Sequence, residues 1–472
     1  MSKQSTYKLS GAVSLIVRSI RGIEMDYTKG NLRRAIIILA IPMILEMSME
    51  SVFALVDLFF VGHLPNSTHT IQTVSLTESI LSIIYSIAFG ISMAATAIVA
   101  RRVGEKNKDE AAHSAMQTIW LAIFVAIIIS VLGFVFAADI LRVLGAEQET
   151  ITMGSTYTKI MMLSSIVIMM LFLINGIFRG AGNASMAMKS LWLANVCNII
   201  LCPVFIRGFG PVPAFGLNGA AMATVTGRAV GVCYQLYHLF KGNATIKIVR
   251  RHLNIDWSII KSVLNIASPA TLQFIISSGS WIVLSRLVAE TGHSVGSAGY
   301  QTAIRVVIFF ILPAWGLSNA TATLVGQNLG ANQPERAEQS VYETAKFNGI
   351  FMGIVSLIFL FGAYPIISFF TYDEDIKTIA VQALRIMASG YIFYGIGMVM
   401  GNAFNGAGDT WTPTWISLVC FWFFQIPLAY TLTLYSKLGL EGVFVSVPVA
   451  ETLVAIVAWY FFKKGKWKKK VV

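Results

Sequence analysis

PMILEMSMESVFALVDLFFVG, residues 42–62, decides how the rest of the chain is read. Its apolar background suits a helix in a bilayer, yet it carries Glu46, Glu50 and Asp57. At 100° per residue Glu50 lies about 40° and Asp57 about 20° from Glu46, so the three acids share one stripe. An acid at membrane depth costs roughly 2.5 to 3.5 kcal/mol on insertion scales, so such a stripe faces a bundle interior or a watered cavity. The stretch therefore predicts a membrane helix that is packed on one side and chemically used there.

Composition agrees with that reading. Of 472 residues, 56% are hydrophobic and 12% charged, with mean hydropathy +0.70, far from the roughly 25% charged of soluble domains. Spanning a bilayer takes about 20 mostly apolar residues. On that criterion twelve spans are expected, at 35–61, 72–100, 115–137, 153–177, 186–206 and 218–240, then 262–288, 297–325, 345–370, 380–404, 412–435 and 442–462. Apolar runs of this length exclude a β-barrel. The fold class is an all-α polytopic membrane protein.

The connections give orientation. Those on the side of the two ends hold 26 of the 35 Lys and Arg residues, which predicts both termini in the cytoplasm. The divisions expected are a tail at 1–34 with an interfacial helix over 9–24, a first lobe at 35–240, a connection at 241–261, a second lobe at 262–462 and a basic tail at 463–472. The net charge of +12 is distributed as topology signal, with no basic face of interleaved aromatics for nucleic acid. Cys197, Cys202, Cys233 and Cys420 have neither metal-ligand nor disulfide spacing.

The two lobes repeat. AIVARRVGEKNKDEA aligns with TLVGQNLGANQPERA at an offset of 226, pairing Gly104 with Gly330, and IFRGAGNASM aligns with AFNGAGDTWT at the same offset. FGLNGAAM matches LGLEGVFV at 223, and Pro42 pairs with Pro269 at 227. Six spans separate equivalent positions, so the repeats are parallel, two pseudo-symmetric six-helix lobes about an axis along the membrane normal with a cleft between them. That layout points to an alternating-access carrier.

The entry DYTKGNLRRAIIILAIPMIL, the span 1 end VDLFFVG, the paired loops VGEKNKDEA and VGQNLGANQPERA, and the paired FRGAGN and FNGAGDTWTP resemble the multidrug and toxic compound extrusion (MATE) transporters. The resemblance covers about residues 27–462 and is strongest to the prokaryotic branch related to DinF. It implies coupled antiport, in which a drug or organic cation leaves while protons or sodium ions enter, with no ATP domain and no cofactor. It places the protein as a monomer in the cytoplasmic membrane of a bacterium or archaeon.

The same resemblance implies individual roles. Asp57 matches the span 1 aspartate that accepts the coupling ion, and Pro42, fifteen residues earlier, matches the bend-forming proline. Asn198 opens NIILCP, which matches the span 5 pattern N-x-x-L-D-P except that Cys202 replaces its aspartate; a sodium ion, if used, is expected at Asp57 and Asn198. Thr224 matches the span 6 threonine of that network. With the span 5 acid missing, Glu46 and Glu50 are the carboxylates that remain to compensate.

Other charges follow from cost alone. Arg228 sits near the middle of span 6, where an unpaired guanidinium is expensive, so a carboxylate partner is expected, Glu50 first and Glu46 second. Arg228 corresponds at offset 223 to Glu451 of span 12, for which Arg305 of span 8 is the expected partner. The second lobe has Gln273 and Ser277 where the first has Glu46 and Glu50. A lipid-linked precursor flippase is the alternative function, but it favours a cationic cavity for pyrophosphate; a membrane enzyme needs clustered ligands or a nucleophile and base, and no such set appears.

Overall fold

The computed structural model describes residues 11–22, 25–62, 67–241 and 245–472, and the side chains of 11, 12, 54, 55, 57–59, 61, 62, 67 and 68 fall outside the described set. Among the described residues the chain is helical, with no β-strand beyond one isolated bridge. α1 (Gly11–Arg21) precedes α2 (Leu32–Gly62, span 1), α3 (Ser67–Gly104, span 2) and α4 (Lys108–Val135, span 3). The short α5 (Ala137–Val143) leads to α6 (Gln148–Leu163) and α7 (Ser165–Gly180), which meet at Ser164 as span 4. α8 (Ala184–Arg207) and α9 (Leu217–Phe240) complete the first six.

α10 (Trp257–Gly330) contains 74 residues. A straight helix of that length would run about 110 Å, against a hydrocarbon core of about 30 Å. His293, with φ 51° and ψ −150°, breaks it into spans 7 and 8. α11 (Pro334–Ser368) is span 9, and α12 (Glu374–Ala388) with α13 (Tyr391–Gly406) is span 10, bent by 56°. α14 (Trp411–Ser417), a π-helical stretch Leu418–Gln425 and α15 (Ile426–Leu434) form span 11, and α16 (Glu441–Lys463) is span 12. α9 is less apolar than an ordinary span because it carries Arg228 and Gln235, both buried.

The outer surface of the spans carries many large apolar side chains. Phe124, Ile127 and Val131 on α4, Ile350, Ile354 and Phe361 on α11, and Phe423 on span 11 all point outward and exposed, the arrangement a lipid environment rewards and water does not.

The repeat is visible in backbone contacts. A Cβ on Gly104 would stand 2.0 Å from the carbonyl oxygen of Gln327, and one on Gly330 would stand 2.1 Å from that of Arg101. Arg101 and Gln327 are themselves repeat equivalents, so spans 2 and 8 cross through two symmetry-related glycine contacts. This crossing closes the face that carries both termini. Further links seal that face: the Tyr27 hydroxyl donates to the Gly182 carbonyl, Arg336 to the carbonyls of Tyr27 and Lys29, and Arg33 pairs with Glu343 at 3.0 Å.

α2 runs through Pro42 without a break. Proline lacks the N–H that the Ile38 carbonyl would otherwise accept. Ser19 of α1 supplies the replacement, its hydroxyl donating to Ile38 O at 2.6 Å. One residue beyond Pro42, the Met43 carbonyl sits where a Cβ on Gly316 of span 8 would be 2.4 Å away, so span 1 and span 8 touch backbone to backbone there.

Candidate coupling and substrate site

The acid-bearing face of α2 turns into the first lobe. Glu46 is fully buried; its Oε1 accepts from Asn175 Nδ2 at 3.0 Å and lies 3.7 Å from Arg179 Nη1. Asn175 Oδ1 accepts from the Ser190 hydroxyl at 2.9 Å and from Gln235 Nε2 at 2.6 Å, so the network joins spans 1, 4, 5 and 6. Arg179 also donates to the Ser92 hydroxyl at 3.2 Å, and its carbonyl accepts from Thr323 of span 8 at 3.0 Å. By hydropathy Arg179 falls in the connection after span 4. It is instead in the last turn of α7 and buried, because that helix continues through Phe178 and Arg179 to Gly180.

One turn further along α2, Glu50 Oε1 is 3.7 Å from Arg228 Nη2, and its Oε2 accepts from Asn195 at 3.4 Å. Arg228 donates to the Tyr85 hydroxyl at 2.6 Å and stands 5.4 Å from the Phe53 ring centre, a geometry of cation–π contact. Both span 1 glutamates thus face arginines from other spans of the same lobe.

Asn198 and Thr224 meet as a pair, Asn198 Nδ2 donating to Thr224 Oγ1 at 3.0 Å. Gly227 permits it, because a Cβ there would strike the Ala194 carbonyl at 2.6 Å and hold spans 5 and 6 apart. Asn198 Oδ1 is buried with no hydrogen-bond partner among the described residues, an acceptor left open to a proton donor or cation. Cys202 is fully buried one turn beyond. Asp57 lies in α2, but its side chain is outside the described residues.

The second lobe repeats the geometry without the charge. Asn405 Nδ2 approaches Gln273 Oε1 at 3.5 Å, in the places of Arg179 and Glu46, and Asn402 donates to the Ser318 hydroxyl at 2.8 Å. Beside them opens a cavity of about 450 Å³ walled by Phe274, Trp281, Trp315, Tyr394 and Glu451. The expected Glu451–Arg305 pair does not form. Arg305 is exposed and lines a separate space of about 560 Å³ with Glu78, Ser51 and Phe309, whereas Glu451 is buried in the second-lobe cavity. Opposite sign in the sequence brings them together; depth and direction in the fold separate them.

Arg179, Asn175 and Asn405 are site residues that a reading of the sequence passes over. The 226 offset pairs Arg179 with Asn405, and a second acid in span 1 besides Glu50 calls for a second cation, so the sequence does carry a signal for these two.

Two parallel six-helix lobes, each with a polar interior and a cleft between them, define a membrane transporter. A sequence model of the family described as MatE matches residues 42–204 and again 269–431, two blocks 227 residues apart. The chain is 26% identical over 453 residues to the probable multidrug resistance protein YoeA of Bacillus subtilis, covering 95% of this chain and 97% of that one. It is likewise 26% identical to an FAD transporter of Shewanella oneidensis, over 91% of this chain and 94% of the relative. Among solved structures, the outward-facing conformation of a multidrug resistance MATE family transporter of the MOP superfamily matches with a TM-score of 0.87 at 26% identity, over 94% of this chain and 98% of the other. The protein belongs to the MatE family of transporters.

Proposed function

We propose that the protein is a secondary antiporter of the cytoplasmic membrane, with both termini inside, that exports amphipathic, cationic small molecules in exchange for protons. The observation that carries this reading is the wiring of span 1. Glu46 ties it to span 4 through Arg179, and Glu50 ties it to span 6 through Arg228. With those acids engaged, Asp57 on the same stripe is the carboxylate left to exchange a proton for the substrate. Neutralising it lowers the cost of moving this end of span 1, which the Glu46 and Glu50 pairs do not hold, and Pro42 offers the place to bend.

Protons suit this site better than sodium, because a sodium ion wants several oxygen ligands and the Asn198–Thr224 pair leaves a single buried acceptor open, Asn198 Oδ1. Sodium at Asp57 and Asn198 is the alternative that the experiment separates. A relative named for FAD transport leaves the sign of the cargo open within the family. In this chain Arg179 and Arg228 are each matched by a glutamate, which leaves neither as surplus positive charge for the pyrophosphate of a lipid-linked precursor. The test is efflux of an organic cation from membrane vesicles under imposed proton and sodium gradients applied separately. Transport driven by the proton gradient supports the reading, and transport indifferent to both gradients overturns it.

A further inference from the structure

Two acids are buried among the described residues, Glu46 and Glu451. Glu46 has Arg179 and Asn175. Glu451 is 6% exposed and makes no hydrogen bond or ion pair among the described residues, and it is the one charged side chain on the described wall of the 450 Å³ cavity. An ionised carboxylate in such a place is costly until a proton or a cation joins it. The remaining walls bring Phe274, Trp281, Trp315 and Tyr394, whose ring faces favour a cation within about 6 Å.

The repeat sharpens the contrast. The position equivalent to Glu451 in the first lobe is Arg228, which neutralises Glu50. In the second lobe the partner position is Ser277, and the Glu46–Arg179 pair is replaced by the neutral Gln273–Asn405. One lobe therefore holds balanced internal pairs, and the other holds a single carboxylate, an empty volume and aromatic rings.

We infer that the second-lobe cavity is a binding site for a monovalent aromatic organic cation, with Glu451 as its counter-ion. This rests on the antiport reading for its role in transport, but binding itself needs no gradient. The cation replaces the missing internal partner, and the rings select aromatic groups of matching size.

The test is equilibrium binding to the purified full chain of methyltriphenylphosphonium and of triphenylphosphine oxide, which has nearly the same shape without the charge. E451Q is expected to weaken the phosphonium by about thirtyfold or more and to leave the oxide unchanged, while E451D, which keeps the charge, binds the phosphonium. Thermal unfolding of each variant separates lost binding from lost fold. Unchanged phosphonium binding by folded E451Q, parallel loss of both ligands, or no phosphonium binding by the wild-type protein each overturns the inference. Glu451-dependent binding in a protein that shows no gradient-driven transport would instead overturn the antiport reading and leave the site standing.

Discussion

Glu46 Oε1 lies 3.7 Å from Arg179 Nη1, and the equivalent positions in the other repeat, Gln273 and Asn405, hold the same contact as two neutral amides at 3.5 Å. The fold therefore accepts either an ion pair or an amide pair at one place. Removing one member of a buried pair leaves a charge without compensation and costs about 3 to 5 kcal/mol, whereas replacing both is often neutral. R179A is expected to lose stability on that scale. The double variant E46Q/R179N, which copies the second lobe, is expected to recover most of it. Thermal unfolding in detergent reads both; a double variant as unstable as the sum of the singles contradicts the pairing.

Ser19 completes span 1 at the point where Pro42 opens it. S19A leaves the Ile38 carbonyl without its donor and is expected to cost about 1 to 2 kcal/mol. Faster amide exchange in residues 36–41, confined to that turn, is the accompanying sign. Protection equal to wild type would show that the hydroxyl is not what holds the carbonyl.

The glycine crossing of spans 2 and 8 closes the face of the termini. A methyl at Gly104 or Gly330 meets a carbonyl oxygen near 2 Å, and overpacking of this kind costs typically about 1 to 3 kcal/mol. G104A and G330A are expected to favour the conformation with that face parted. Spin labels at Lys108 and Glu335, both exposed, should report a longer mean distance in either variant. An unchanged distance distribution would mean the crossing is not the closure.

Long apolar runs and a near-constant offset make the helix count and the duplication legible in the amino-acid sequence itself. The interior is less so. Arg179 reads as a loop residue because Gly180 and Gly182 follow it, yet α7 carries it into the lobe before ending at Gly180. Arg305 and Glu451 have opposite sign and matching depth in a hydropathy profile, but a profile holds no information on which way a side chain points. Glu50 and Arg228 are joined by cost alone, since each needs a partner and their spans belong to the same lobe.

The tail before span 1 has its own ion pair, outside the membrane. Asp26 Oδ2 is 2.9 Å from Lys106 Nζ, and Asp26 accepts from the Thr28 backbone N–H at 3.1 Å. Burial pushes its carboxyl up, but the bonds from Thr28 and Lys106 outweigh it and hold it down at about 2. A carboxyl depressed in the folded state contributes above its ordinary value, near 4, and loses that contribution as pH falls toward 2. The tail is thus expected to stay docked throughout the physiological range. D26N should speed exchange of the Thr28 amide at pH 7, while wild type keeps its protection from pH 5 to 8; a wild-type transition within that window contradicts the assignment.

Coupling at span 1 is tested most directly by proton flux in proteoliposomes. With an organic cation inside and a proton gradient imposed, wild type should move protons and substrate in opposite directions. D57N, fixed in the neutral form, should show neither substrate-linked proton uptake nor gradient-driven efflux. Gradient-driven efflux that persists in D57N would contradict coupling at this acid.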